Sequence, residues 1–185
     1  YAVEVYRNKI EPERDFVAFA TYISFFPTIM SGPIDRPNDF LPQLHKKRTF
    51  DYDMAMDGSR QGMWGIIKKM VIADNIAVFV ENAWMGLPNQ NSPTLIIAAL
   101  LFTMQMYADF SGYSDMAIGV GKILGFRITI NFRDPFFATN IAEYWRRWHI
   151  SLTSWITDYV FMPLNIRFRD YRHWGLIWAI IINMI

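Results

Sequence analysis

The segment Glu143–Leu152 reads EYWRRWHISL, and its centre of chemical interest is His149. An imidazole takes or gives a proton near neutral pH, which no other unperturbed side chain does. That suits a general base activating an alcohol for attack on a thioester or ester carbonyl. It equally suits a hydrogen-bonded packing residue at a helix interface, since geometry must come before role. On a helix, Glu143 reaches Arg146 at i+3 and Arg147 at i+4, so ion pairing is available. Trp145, Trp148 and Trp155 add broad apolar or cation-binding faces.

A second polar group lies in Gln105–Gly125, QMYADFSGYSDMAIGVGKILG, where Asp109, Ser111, Tyr113, Ser114 and Asp115 adjoin an apolar run. Asp109 and Asp115 are six apart and would point to different sides of one regular helix. Either could pair with Arg146 or Arg147, or act on substrate directly. Gly112 permits a local break, and Gly112, Gly119, Gly121 and Gly125 permit close helix approach. Other chemistries are excluded by pattern. Ser111 and Ser151 lack the GxSxG context of a nucleophile elbow. GVGKILG lacks phosphate-loop spacing. His45, His149 and His173 have no metal-ligand spacing, so no metal is expected.

The elements that must hold these groups read as helices in an apolar solvent. Phe16 to Ile34 holds nineteen residues without a charge, enough to cross a bilayer core or to re-enter it, with Pro27 and Gly32-Pro33 kinking its second half. Residues 35–60 read as a polar loop with a short helix. Met63 to Val80 has helical spacing but carries Lys68, Lys69 and Asp74, so it lies along the interface or crosses obliquely. Asn82 to Pro93 reads as a turn-rich loop, and Thr94 to Ala108 as an apolar helix ending at Asp109. The 82–93 loop has no basic residue while later loops are rich in Arg, which predicts that loop outside and the basic loops in the cytoplasm. Trp174 to Ile185 is a twelve-residue uncharged run that reads as a helix cut in mid-membrane.

The fold class expected is all-α: a polytopic integral membrane helical bundle, truncated at both ends, with residues 1–185 forming one partial domain. Tyr1 in place of a start methionine agrees with an interior piece. A soluble helical domain is the rival. A net charge of +1 and no long basic tract argue against nucleic acid as a partner. The absence of cysteine removes disulfides and thiol catalysis.

The order YADFSGYSDMAIG, then NFRDPFF, then EYWRRWHISLTSWITDYVFMPL closely resembles the bacterial branch of the membrane-bound O-acyltransferase (MBOAT) family, whose members O-acetylate alginate and peptidoglycan or pass D-alanine to teichoic acids. YISFFPTIMSGPIDRPNDFLPQL upstream looks like the same branch. The resemblance implies a multi-spanning bundle of the bacterial cytoplasmic membrane around a tunnel. There an acyl donor, acetyl-CoA or a carrier-bound acyl group, meets a polysaccharide or an extracytoplasmic acyl-accepting partner protein, with no bound cofactor. His149 matches the first of the family's two functional histidines. The second, usually regarded as the main catalytic histidine and set in a Trp-His-Gly segment, is expected beyond Ile185, so the segment alone is expected to be inactive; His149 is expected to orient the acceptor or the acyl carbonyl by hydrogen bonding, or to assist proton transfer. His173 does not match that segment. On this reading Asp109, Tyr113, Asp115, Glu143, Arg146, Arg147, Trp148 and Ser151 line or brace the tunnel. A transporter or scaffold subunit without chemistry remains the alternative of a different class.

Overall fold

The computed structural model describes residues 1–87 and 90–168, and these contain helices and turns but no strand. His173 and the apolar run 174–185 lie outside the described residues. The chain forms two compact units, Tyr1–Thr129 and Ile130–Ile185.

In the first unit, α1 (Ala2–Tyr6) is followed by α2 (Phe16–Ile23), whose N-terminus is capped by Asp15. The Asp15 carboxylate accepts the Val17 and Ala18 amides at 2.8 and 3.2 Å. The uncharged stretch 16–34 does not form one long helix. It stops at Ser24, whose hydroxyl turns back onto the Ala20 carbonyl, and Phe25 is extended before α3 (Phe26–Ile29) restarts. The break therefore precedes Pro27, which sits harmlessly in the first turn of α3 where no intrahelical N–H is needed. Region 35–60 holds α4 (Pro37–His45), and its final residues already belong to α5 (Tyr52–Ile66).

Helix α5 runs without interruption through a π-helical stretch, Ile67–Ala73, into α6 (Asp74–Met85). The wide turns leave carbonyls poorly paired, and the Asn75 amide donates to those of Met70 and Val71 at 3.2 and 2.8 Å. The connection to α7 (Ser92–Ile123) is confined to residues 86–91 and ends in the Asn91 cap, shorter than the 82–93 loop expected. Helix α7 has 32 residues, about 48 Å at 1.5 Å each, and is the one helix among the described residues long and apolar enough to cross a membrane. Its first half exposes Ile96, Ile97, Leu100 and Met104. Instead of ending at Asp109 or breaking at Gly112, it continues to Ile123.

The partner of that second half is α5, which runs antiparallel to it along a seam of glycines. A methyl group built on Gly65 would lie 2.5 Å from the Gly112 carbonyl oxygen, and one on Gly58 would lie 2.6 Å from that of Gly119. The two backbones touch, as small residues allow. Gly125, at φ +80°, closes α7: the Phe126 amide bonds the Gly121 carbonyl at 2.8 Å and the Gly125 amide that of Lys122 at 3.0 Å, a Schellman stop. The chain then turns Phe126 into a core with Phe25, Phe40, Ile118 and Ile128. Phe40 and Phe126 stack at 5.1 Å, and the Arg48 guanidinium lies 3.9 Å over the Phe126 ring. Side chains tie down the next residues. Gln43 brackets Arg127 by pairing with both its amide and its carbonyl, and Asp35 accepts the Thr129 amide and hydroxyl at 2.8 and 2.7 Å.

The second unit begins with an extended stretch and a short 3-10 turn, Pro135–Phe137. Helix α8 (Ile141–Arg147) follows. Then α9 (Ile150–Ile156), a π-helical stretch Thr157–Phe161 and α10 (Met162–Arg167) run on as one continuous rod.

Candidate functional site

Helix α8 exists because its first turn is capped from both directions. Asn140 accepts the Glu143 amide at 2.8 Å, while one Glu143 oxygen reaches back to the Thr139 amide and hydroxyl at 2.8 and 2.7 Å. This is a capping box displaced by one residue. The other Glu143 oxygen holds Arg147 one turn on. The Thr139 hydroxyl and amide, and then the Arg147 guanidinium, drive the Glu143 carboxyl down to about 2. The pairing expected between Glu143 and Arg147 is present, and Glu143 braces α8 at both ends.

Helix α8 stops at Trp148, and His149 does not continue it. The backbone of His149 is left-handed, at φ 44° and ψ 53°, and it forms the N-cap of α9. The imidazole thus stands at the corner between two helices, not on the face of one, as the helix-borne pattern suggested. Histidine tolerates this region better than most residues, at a cost of about 1–2 kcal/mol. Two main-chain bonds over-determine the corner. The Ile150 amide donates to the Asn131 carbonyl at 2.9 Å, and the Arg133 amide to the Arg147 carbonyl at 3.0 Å.

Trp148 forms the wall beside it. It stacks on Tyr144 at 5.7 Å with the planes 15° apart and meets the Phe132 ring edge-on at 5.1 Å. The imidazole Nδ1 faces the Asn131 side-chain oxygen at 3.2 Å, and the same oxygen accepts the Ser151 hydroxyl at 2.6 Å. Asn131 and Ser151 are buried, at 0% and 1% exposure. His149 is half-buried, and burial holds its imidazole below the ordinary value.

His149, Trp148, Ser151, Glu143 and Arg147 therefore share one small constellation, with Arg146 on the last turn of α8. Asp109, Tyr113 and Asp115 belong to the first unit, on α7. Their expected arginine partners are replaced by lysines. Lys68 reaches Asp115 at 2.6 Å together with Gln61 at 2.8 Å, and Lys69 bridges Asp109 and Asp74. Tyr113 is half-buried between them. The π-helical stretch supplies both lysines, so the two aspartates are met at different heights of α7 by adjacent residues of one neighbour. Among the described residues no cluster of three His, Asp, Glu or Cys side chains could hold a metal ion.

Asn131 was not singled out by residue reasoning. It opens the NFRDPFF motif, but its two side-chain partners lie 18 and 20 residues away, beyond any local pattern. A buried amide oxygen shared by a left-handed histidine and the serine two residues after it is a tertiary feature.

The described residues are helical, and one of their helices, α7, is long and apolar enough to cross a membrane. The chain is a member of the MBOAT, membrane-bound O-acyltransferase, family, whose pattern it matches over residues 13–173. It is 41% identical over 177 residues to the probable alginate O-acetylase AlgI of Pseudomonas putida, covering 94% of this chain and 36% of that protein. It is 38% identical over 155 residues to the peptidoglycan O-acetyltransferase of Helicobacter pylori, covering 81% of this chain and 29% of that one. It is 37% identical over 147 residues to the teichoic acid D-alanyltransferase of Bacillus subtilis, covering 76% and 36%. The chain spans about a third of the length of these curated relatives.

Proposed function

We propose that this chain is the histidine-bearing part of a multi-pass O-acyltransferase of the bacterial cytoplasmic membrane, and that it transfers an acetyl group to a hydroxyl of an exported or cell-wall polysaccharide. The observation that carries the reading is the half-buried imidazole of His149, fixed at a left-handed helix corner beside Trp148. Such a ring accepts the proton of the acceptor hydroxyl as its oxygen bonds to the acyl carbon. The bond from that carbon to the donor sulfur or oxygen breaks, and the proton passes to the departing thiolate or alkoxide. The donor, acetyl-CoA or a carrier-bound acyl group, is a co-substrate. The acceptor is the polysaccharide itself or an extracytoplasmic protein that relays the group. Glu143 and Arg147 brace the corner, and Asp109, Tyr113 and Asp115 support the membrane part. The identities of 38–41% to O-acetylating relatives favour acetyl as the group.

The test is His149→Asn in the complete protein, reading alkali-released acetate from total envelope polysaccharide beside the amount of protein in the membrane fraction. Acetate is expected to fall by about a hundredfold or more with membrane insertion unchanged. Undiminished acetate would overturn the assignment and favour a transporter or scaffold. The 37% identity to a D-alanyltransferase supports a second reading. Histidine-dependent release of D-alanine in place of acetate would select it.

A further inference from the structure

We propose that Asn131 is a positioning residue that fixes the tautomer of His149, placing the ring hydrogen on Nδ1 and the basic lone pair on Nε2. The inference rests on the acyl-transfer reading above but is decided by a different measurement.

The argument begins with the atom at the centre of the cluster. One side-chain atom of Asn131 lies 3.4 Å from the Ser151 backbone amide, 2.6 Å from the Ser151 hydroxyl and 3.2 Å from His149 Nδ1. A backbone N–H can only donate, so the atom it meets is the amide oxygen and not the amide nitrogen. An imidazole nitrogen set against that oxygen must then carry the hydrogen, because two acceptors cannot share a hydrogen bond. Neutral imidazole has one N–H, so Nε2 is the bare nitrogen. It is the nitrogen on the far side of the ring from Asn131, and it is the atom that serves as base in the acyl-transfer reading.

Position and orientation are fixed by the same residue. The Asn131 main-chain carbonyl holds the Ile150 amide at 2.9 Å, directly after the left-handed histidine. Its side chain is fully buried, so water does not compete for the oxygen. The charged residues on the neighbouring segments are Arg133 and Asp134 before the 3-10 turn, Glu143, Arg146 and Arg147 on α8, and Asp158 beyond α9. The partner at Nδ1 is nonetheless a neutral amide. A carboxylate there would hold the imidazolium instead and blunt its release of the proton.

The experiment is nitrogen-15 NMR of the complete protein, labelled at histidine and held in detergent, with the His149 signal assigned by its loss in His149→Asn. In the wild type above pH 7, the expected spectrum has a protonated Nδ1 and an unprotonated Nε2. Asn131→Ala is expected to mix the two tautomers. Asn131→Asp, which keeps the shape and adds a charge, is expected to keep Nδ1–H and raise the histidine's pKa by about 1–3. The acidic limb of the acyl-transfer pH profile should move with it, which a merely structural residue would not cause. A wild-type spectrum with Nε2 protonated overturns the proposal, as does an Asn131→Asp titration unchanged from wild type. Should Asn131→Ala fail to fold, those two results still decide. The expected spectra with full acyl transfer in His149→Asn would sink the catalytic reading and leave the tautomer assignment standing.

Discussion

At position 149 the side chain and the main chain make separable demands. The left-handed backbone asks for His, Asn, Asp or Gly, and the chemistry asks for an imidazole. His149→Asn should therefore lose about 10²–10⁴-fold in acyl transfer while keeping the melting temperature of the parent. His149→Val should lose fold as well, because a β-branched residue at positive φ is strained. Activity against melting temperature for the pair separates the two demands. Glu143 yields a pH prediction. Its folded carboxyl lies at about 2 against an ordinary 4.5, so the stability it adds is complete above pH 4.5 and drains away as pH falls toward 2. Melting temperature between pH 5 and pH 2 should fall less steeply in Glu143→Gln, which starts lower. At this scale the sequence revealed what is local. The Glu143 and Arg147 pair lies one turn apart, and the histidine is conspicuous by type. Asn131 stayed hidden because its role arises only when residues 18 and 20 positions apart converge.

Among the elements, the α5 and α7 seam is the sharpest test of packing. Gly65→Ala would drive a methyl to 2.5 Å from the Gly112 carbonyl oxygen and to 2.8 Å from the Met116 amide, both backbone atoms that cannot step aside. The cost expected is about 1–3 kcal/mol. Gly62→Ala is the control from the same helix. Nothing lies within 4 Å of its added methyl, and alanine favours a helix by about 0.5–1 kcal/mol, so stability should hold or rise. Thermal unfolding of the two variants in detergent checks both; equal losses would mean the seam is looser than described. The same seam explains why α7 runs on to Ile123, past the Thr94–Ala108 helix that hydropathy predicts. Asp109 and Gly112 look like terminators in isolation, yet lysines opposite neutralise the charge and a glycine opposite needs the space. Uncharged length misled in the other direction at 16–34. There serine back-bonding and an extended Phe25 divide a stretch that hydropathy alone would join.

For the whole molecule, the membrane reading stands on α7 and on family membership, and it turns on how charge is stored beside lipid. The Lys68 and Asp115 side chains are only 18% and 19% exposed. Asp115→Asn leaves a shielded ammonium without its counter-charge and should cost up to about 3 kcal/mol. The double replacement Lys68→Met with Asp115→Leu should restore most of that loss, read as folded yield in the membrane fraction. No recovery would mean the charges serve something other than each other. The pairing also bears on biosynthesis. Translation delivers residues 68 and 69 before residues 109 and 115, so the cations emerge from the ribosome ahead of the anions they neutralise. A lone carboxylate at the centre of a hydrophobic helix resists partitioning by about 2.5–3.5 kcal/mol. The nascent α7 thus finds its counter-ions already waiting, and the translocon is best served by releasing the hairpin of residues 52–123 sideways as a single body, not one helix at a time.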